Sequence, residues 1–264
     1  MKQEAPTKGR KSHRTMSKIS PTLTRGGSHF LVSFLKFLEK TMKLIAFSDI
    51  HIPYTSQNFL FFVDKIINNP NIDLVVGVGD ILDMVRCDTE DILGSKIGVM
   101  LLLGLKRLIL KKKTRFVPGN HDPELGKTLT ALLGIDIVAE DFILDGFQFT
   151  HGYQFDPLCS WAPWKWLKKV APFFFRTPRD WKERNREKWQ EKIGVIYGKV
   201  YSYLEKRTDL RGVVMGHTHY PSIHYLETSQ VVFDCGDGLD SESCLFLDTV
   251  SGVGKIIHFA QENL

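Results

Sequence analysis

The stretch that decides the fold is KLIAFSDIH, residues 43–51, in which a mostly apolar run leads directly into Asp49 and His51. A continuous apolar run of this length is typical of a strand buried on both faces. The arrangement recurs four times along the chain. The runs are DLVVGV at 73–78 before Asp80, RFV at 115–117 before Asn120, FQFT at 147–150 before His151, and RGVVM at 211–215 before His217 and His219. Each predicted strand therefore ends on side chains able to bind a metal ion.

Helical patterns separate the early strands, at residues 58–68 and 98–112. Alternating strands and helices favour βαβ units around a largely buried sheet. Short apolar runs at 224–226, 231–233, 244–247 and 254–259 predict further strands in a more antiparallel portion. The fold class is therefore α/β, with two sheets packed as a sandwich.

Length and composition are those of a globular protein with one main domain, since 43% of the 264 residues are hydrophobic and 25% are charged. The net charge of +5 is unevenly distributed. Residues 1–43 carry ten Lys and Arg against two Asp and Glu, and residues 153–200 carry eleven against five. Such basic segments favour contact with phosphate-bearing partners.

Residues 1–41 lack apolar periodicity over most of their length, and we expect this basic extension to be disordered or partly helical. The main domain is expected at 42–264, and Met42 is a candidate start of translation. The four cysteines show no C-x-x-C spacing, which favours reduced thiols in the cytoplasm. No apolar run reaches the roughly 20 residues of a membrane-spanning helix. We therefore expect a cytoplasmic protein, with peripheral membrane contact as an alternative.

Polar residues beyond the carboxyl ends of strands in an α/β sheet face a common crevice. The five clusters would bring together two carboxylates, one amide oxygen and four imidazoles, from Asp49, His51, Asp80, Asn120, His151, His217 and His219. This mixed oxygen and nitrogen set suits Mn, Fe, Co, Ni or Zn. It is large enough for two ions, with one carboxylate between them.

These motifs, in this order, resemble those of the calcineurin-like metallophosphoesterase superfamily. They are D-x-H at 49–51, G-D-x-x-D at 79–83, G-N-H-D at 119–122, a lone His151, and G-H-T-H at 216–219. The resemblance implies a four-layer α/β/β/α sandwich and a centre of two divalent ions, most simply Mn²⁺. It also implies hydrolysis of a phosphoester or pyrophosphate by a hydroxide shared between the ions.

The resemblance also implies a role for each residue. Asp49, His51 and His219 would hold the first ion, Asn120, His151 and His217 the second, with Asp80 bridging both. His121 would stabilise the substrate phosphate and protonate the leaving oxygen, and Asp83 would keep it protonated. Asp122 is expected to fix the loop through backbone amides.

The segment 153–206 is unusually aromatic and basic, and we interpret it as a helical lid insertion that contacts lipid or nucleic acid. A helical hairpin that only covers the sheet is the alternative. The insertion is similar in position to that of the UDP-2,3-diacylglucosamine pyrophosphatases, which carry Arg at the position of His121. A later segment that reads Asn-x-Gly in the family has Asp234 in the Asn place.

The predicted function is hydrolysis of a nucleotide-linked or lipid-linked phosphodiester or pyrophosphate. Two alternatives remain from the sequence. One is a nuclease or nucleic-acid-binding protein that uses the basic segments. The other is a non-catalytic scaffold of the same fold.

Overall fold

The computed structural model describes residues 42–161 and 186–260. The N-terminal extension and residues 162–185, which hold much of the aromatic part of the expected lid, lie outside the described residues. The predictions made for those segments stay predictions. Among the described residues, no helix combines the length and the apolar composition needed to cross a membrane.

Two five-stranded mixed sheets form the centre of the fold. The first has the order β10-β9-β1-β2-β3 and the second β4-β5-β6-β8-β7. In the first, β1, β2 and β3 are parallel, and in the second β5, β6 and β8 are parallel. The strands are β1 (Lys43–Phe47), β2 (Leu74–Val78), β3 (Thr114–Val117), β4 (Phe142–Leu144), β5 (Phe147–Phe149), β6 (Gly212–Met215), β7 (Ser222–Tyr225), β8 (Val231–Asp234), β9 (Ser243–Asp248) and β10 (Val253–His258).

The helices are α1 (Asn58–Asn68), α2 (Thr89–Gly94), α3 (Lys96–Lys111), α4 (Leu125–Leu133), α5 (Pro157–Trp161) and α6 (Arg186–Lys206), with a 3₁₀ turn at Tyr153–Phe155. Helix α1 buries Phe59, Phe62, Val63 and Ile66, spaced at three and four residues. Burying one such side chain contributes about 1.5–3 kcal/mol. This stripe holds α1 on the first sheet.

Three hydrophobic cores define four layers. One core joins α1, α3 and α4 to the first sheet, through residues such as Phe62, Leu105 and Val75. A second lies between the sheets, where Val76 and Phe149 are both fully buried. A third joins α6 to the second sheet. The predicted α/β/β/α sandwich is therefore confirmed.

Helix α6 belongs to the segment expected to form a lid, and its inner face lies on the second sheet. Ile196, Val200 and Leu204 pack with Val213 and Val232 of that sheet. This helix is thus the fourth layer of the sandwich.

Candidate metal centre

The seven predicted ligands follow five strands. The crevice lies at the carboxyl ends of these strands. Asp49 and His51 follow β1, Asp80 follows β2, Asn120 follows β3, His151 follows β5, and His217 and His219 follow β6. The rings of His51 and His219, from different sheets, stack with centroids 5.4 Å apart. The rings of His151 and His217 meet edge to face at 5.3 Å. Residues far apart in the chain thus gather at one site.

The two aspartates occupy its centre. Oδ1 of Asp49 lies 3.2 Å from Nε2 of His219 and 3.7 Å from Nε2 of His51. Oδ2 of Asp80 lies 3.2 Å from Nε2 of His151 and 4.0 Å from Nε2 of His51. Asp80 therefore lies between the histidines expected to serve the two ions, which is the place that a bridging carboxylate requires.

The donor atoms themselves fit a cation. Oδ1 of Asp49, Nε2 of His51, Oδ1 of Asn120 and Nε2 of His151 are buried, and no group of the described protein hydrogen-bonds to them. Leaving a buried polar atom unpaired costs about 1–3 kcal/mol, so such atoms need an explanation. Divalent ions coordinated by these oxygen and nitrogen atoms would supply it.

The electrostatic field of the site also favours cations. Burial by itself lowers the pKa of an imidazole, yet the nearby carboxylates of Asp49, Asp83 and Asp80 raise the pKa of His51 to about 10. The same balance, with Asp80 and Asp49 outweighing burial, raises the pKa of His151 to about 10. Carboxylates that hold protons this strongly also attract divalent ions.

The backbone at the site is held in an uncommon conformation. Five of the seven predicted ligands have positive φ, between +51° and +71°, a region that residues other than glycine rarely adopt. They are Asp49, His51, Asp80, His217 and His219. Hydrogen bonds between the loops help to hold it, since the amide of His51 donates to the carbonyl of Asp80 over 2.9 Å. Strain of this kind concentrates at functional sites.

Gly79 provides a test of this packing, because its φ is +79° and an added Cβ would lie 2.4 Å from the His151 ring. We expect Gly79→Ala to lower the free energy of unfolding by about 1–3 kcal/mol, measured by urea denaturation. Gly194→Ala is the matched control, since a Cβ there meets nothing within 4 Å on helix α6. The control should be stabilising by about 0.5–1 kcal/mol. Equal unfolding free energies for the two variants would contradict the packing argument.

Two of the histidines, His151 and His219, are oriented by a partner on the other ring nitrogen, as is usual for metal ligands. Nδ1 of His151 lies 2.8 Å from the carbonyl of Val78. Nδ1 of His219 lies 2.7 Å from the fully buried carboxylate of Asp237. Both therefore present Nε2 to the crevice. Sequence reasoning missed this role of Asp237, because nothing in its local pattern distinguishes it from a loop residue.

His121 and Asp83 form the predicted pair. Nδ1 of His121 lies 2.9 Å from Oδ1 of Asp83, and the His121 side chain is 15% exposed while that of Asp83 is fully buried. The other Asp83 oxygen is paired with Arg86. Burial would raise the pKa of Asp83, but its bonds to His121 and His51 hold that pKa well below its usual range. A charged Asp83 can therefore orient the accessible imidazole.

Asp122 has the loop-fixing contacts expected from the sequence. Its carboxylate accepts hydrogen bonds from the amides of Gly119 (2.7 Å), Ile81 (2.7 Å), Leu82 (2.9 Å) and Asp80 (3.1 Å). These bonds tie the G-N-H-D loop to the loop after β2. Asp122 thus sets where Asn120 and His121 lie.

Asp234, in the place where the family has Asn, is fully buried behind the G-H-T-H loop. Its Oδ2 accepts a hydrogen bond from Thr218 Oγ1 over 2.7 Å and from the Tyr197 hydroxyl over 3.2 Å. Burial raises the pKa of Asp234 well above its usual value, more than these hydrogen bonds lower it. A protonated, neutral Asp234 is chemically close to Asn.

Asp234→Asn is therefore expected to stabilise the protein increasingly as pH rises. An acid whose pKa is higher in the folded state loses stability as pH rises above its unfolded pKa of about 3.9, up to the folded value. Asn has no such loss, and the hydroxyls of Thr218 and Tyr197 can rotate to accept from its amide. Thermal unfolding at pH 5 and pH 8 should show the larger advantage for the variant at pH 8. A variant that loses relative stability at pH 8 would contradict the assignment of a neutral Asp234.

Comparison with known proteins agrees with this geometry. The model of the calcineurin-like phosphoesterase family matches residues 42–221. The UDP-2,3-diacylglucosamine hydrolases of Shewanella sp. (strain W3-18-1) and Shewanella putrefaciens are each 24% identical over 227 residues, covering 77% of this chain and 92% of theirs.

Among solved structures, a dimetal phosphatase from Danio rerio is 10% identical, covers 83% of this chain and 99% of its own, and has a TM-score of 0.43. Vacuolar Protein Sorting 29 from Cryptosporidium parvum is 13% identical, with coverages of 82% and 96% and a TM-score of 0.40. At these TM-scores the assignment comes from the family match. With that match over most of the domain, and with all five motifs at one crevice, the chain belongs to the calcineurin-like phosphoesterase family.

Proposed function

We propose that this protein is a hydrolase that uses two divalent metal ions to cleave a phosphodiester or pyrophosphate bond. The observation that carries the proposal is the set of buried donor atoms, from three different loops, that have no hydrogen-bond partner among the described residues. The possible ligand atoms of Asp49, His51 and His219 lie within 4.8 Å of one another. The same is true of those of Asp49, Asp80 and His151. These two groups support a pair of ions.

In the proposed centre Asp49, His51 and His219 would hold one ion. Asn120, His151 and His217 would hold the other, and Asp80 would serve both. When bound, such a pair supplies a hydroxide at neutral pH and neutralises charge on the phosphoryl group. Mn²⁺ is the ion we favour, with Fe, Zn, Co and Ni also compatible with the donor atoms.

The protein's own contribution to the reaction comes from His121 and Asp83. With Nδ1 of His121 bonded to Asp83, Nε2 is the nitrogen available to the substrate. It lies 3.9 Å from Oδ2 of Asp80, at the edge of the metal crevice. From there it can donate a proton to the leaving oxygen, while the contact between Asp83 and Nδ1 orients the ring.

Two independent points support the proposed substrate class. The similar Shewanella proteins are named for hydrolysis of UDP-2,3-diacylglucosamine, a nucleotide linked to a lipid. The aromatic and basic residues of 153–206 would suit contact with acyl chains or bases and with phosphate. We therefore propose a nucleotide-linked or lipid-linked substrate, with cytoplasmic action at or near a membrane surface.

A substrate panel tests the proposal. Bis(p-nitrophenyl) phosphate, p-nitrophenyl phosphate and UDP-2,3-diacylglucosamine would be offered to chelator-treated protein, with and without added Mn²⁺. We expect Mn²⁺-dependent turnover, faster for the diester or the pyrophosphate than for the monoester. Failure to hydrolyse any of the three with Mn²⁺ present would favour the scaffold alternative. Cleavage of single-stranded nucleic acid alone would favour the nuclease alternative.

A further inference from the structure

Asp156 lies directly behind His217, at the point where the chain leaves the second sheet. Its side chain is fully buried, and its Oδ2 lies 3.0 Å from Nε2 of His217. The same oxygen lies 2.8 Å from Nζ of Lys192, on helix α6. One buried carboxylate oxygen thus joins a predicted metal ligand to helix α6, the last part of the segment 153–206.

The two oxygens of Asp156 have different partners. Oδ1 accepts a hydrogen bond of 2.9 Å from the amide of Leu158, as an N-cap residue does at the start of a helix. Capping alone explains Oδ1 and leaves Oδ2 unexplained. Oδ2 instead contacts Nε2 of His217 and Nζ of Lys192, with Sγ of Cys159 at 3.7 Å.

We propose that Asp156 is a positioning residue for His217, and that its ion pair with Lys192 ties helix α6 to the second metal ion; this rests on the proposed function. Because Nε2 of His217 donates to Asp156, the nitrogen left to face an ion is Nδ1. His217 therefore faces the crevice with the opposite nitrogen from His151 and His219, whose Nδ1 atoms are bonded to other groups. Partners of this kind typically change metal affinity by 10–100-fold when they are mutated.

A separate cation site at this cluster is the competing interpretation, since Cys159, Asp156 and His217 lie close together. One feature opposes it. The Lys192 ammonium lies 2.8 Å from Oδ2 of Asp156, and a second cation there would be repelled.

Two substitutions at Asp156 separate positioning from capping. Asp156→Asn keeps the cap, because the amide of Leu158 requires the side-chain oxygen, and this turns the new NH₂ group toward His217. Nε2 must then accept, which places the ring proton on Nδ1. Asp156→Ser keeps a capping hydroxyl and removes the second oxygen. Both variants should bind the metal ion more weakly at one of the two sites only.

Calorimetric titration of Mn²⁺ into chelator-treated full-length protein measures this. Wild-type protein is expected to bind two ions, and both variants should bind one as wild type and the other 10–100-fold more weakly. Two ions bound with wild-type affinity in both variants would overturn the proposal and leave the proposed function intact. Fewer than two ions bound by the wild type would overturn both. Three ions in the wild type and two in Asp156→Asn would identify a separate cation site and overturn the positioning role.

Hydrogen exchange of helix α6 tests the link through Lys192. Mn²⁺ should slow exchange of the amides around Lys192 in the wild type, because fixing His217 fixes Asp156 and its ion pair. Lys192→Met should abolish that protection. Lys199→Met, at an exposed position on the same helix, should retain it. Protection that persists in Lys192→Met, or that is absent from wild-type protein with two bound ions, would exclude the link.

Discussion

Asp80→Asn is expected to lower turnover by about a thousandfold and to reduce the bound metal below two ions per chain. Asp80 lies between the two groups of histidines, so an amide there weakens coordination on both sides. Loss of one ion removes several kcal/mol of transition-state stabilisation, and about 4 kcal/mol corresponds to a thousandfold. Metal analysis of the purified variant and kcat/KM with bis(p-nitrophenyl) phosphate are the measurements.

A thermal-shift experiment gives a readout independent of activity. An ion that binds the folded chain raises the unfolding temperature, so Mn²⁺ should stabilise the wild type more than Asp80→Asn. Asp136→Asn is the matched control, because Asp136 is exposed on the surface. Full metal content and full turnover in Asp80→Asn would contradict a bridging role for Asp80.

His121→Gln is expected to separate chemistry from metal binding. The variant should bind two ions as the wild type does, because His121 is not among the proposed ligands. It should lose about 10²–10⁴ in kcat for a substrate with a poor leaving group, which is the usual contribution of a general acid. For p-nitrophenyl substrates, whose leaving group needs little protonation, the loss should be much smaller.

The dependence on leaving group is the decisive comparison for His121. His258→Gln is a suitable control, since His258 is exposed and lies in β10 at the edge of the first sheet. Equal losses for good and poor leaving groups would mean that His121 acts through phosphate binding alone. A loss of metal from the His121→Gln variant would instead identify His121 as a metal ligand.

The elements predicted from sequence are mainly those with strong apolar patterns. Strand β1 and helix α1 begin and end where the sequence indicates, because a buried strand and an amphipathic helix each leave a clear period. The short elements α2 and β4 were missed, as was α4. A six-residue helix and a three-residue strand are too short to establish a period, and their existence depends on neighbouring elements.

The residues of the site also divide into those that the sequence predicts and those that it does not. Asp49, Asp80 and His217 could be predicted because they follow strands in recognisable motifs. Asp156 belongs to no motif and Asp237 only follows the segment that holds Asp234, yet each lies within 3.0 Å of a predicted ligand. Their roles depend on where loops from distant parts of the chain meet.

By itself the sequence determined the strand pattern, the family and the set of oxygen and nitrogen donors at strand ends. Only the tertiary structure decided which ring nitrogen each histidine presents, which carboxylates orient them, and that helix α6 is a layer of the sandwich. The physical reason is that strand periods and ligand types are local properties of the chain. Distances between side chains on separate loops are set by the packing of the two sheets. No local sequence pattern specifies that packing.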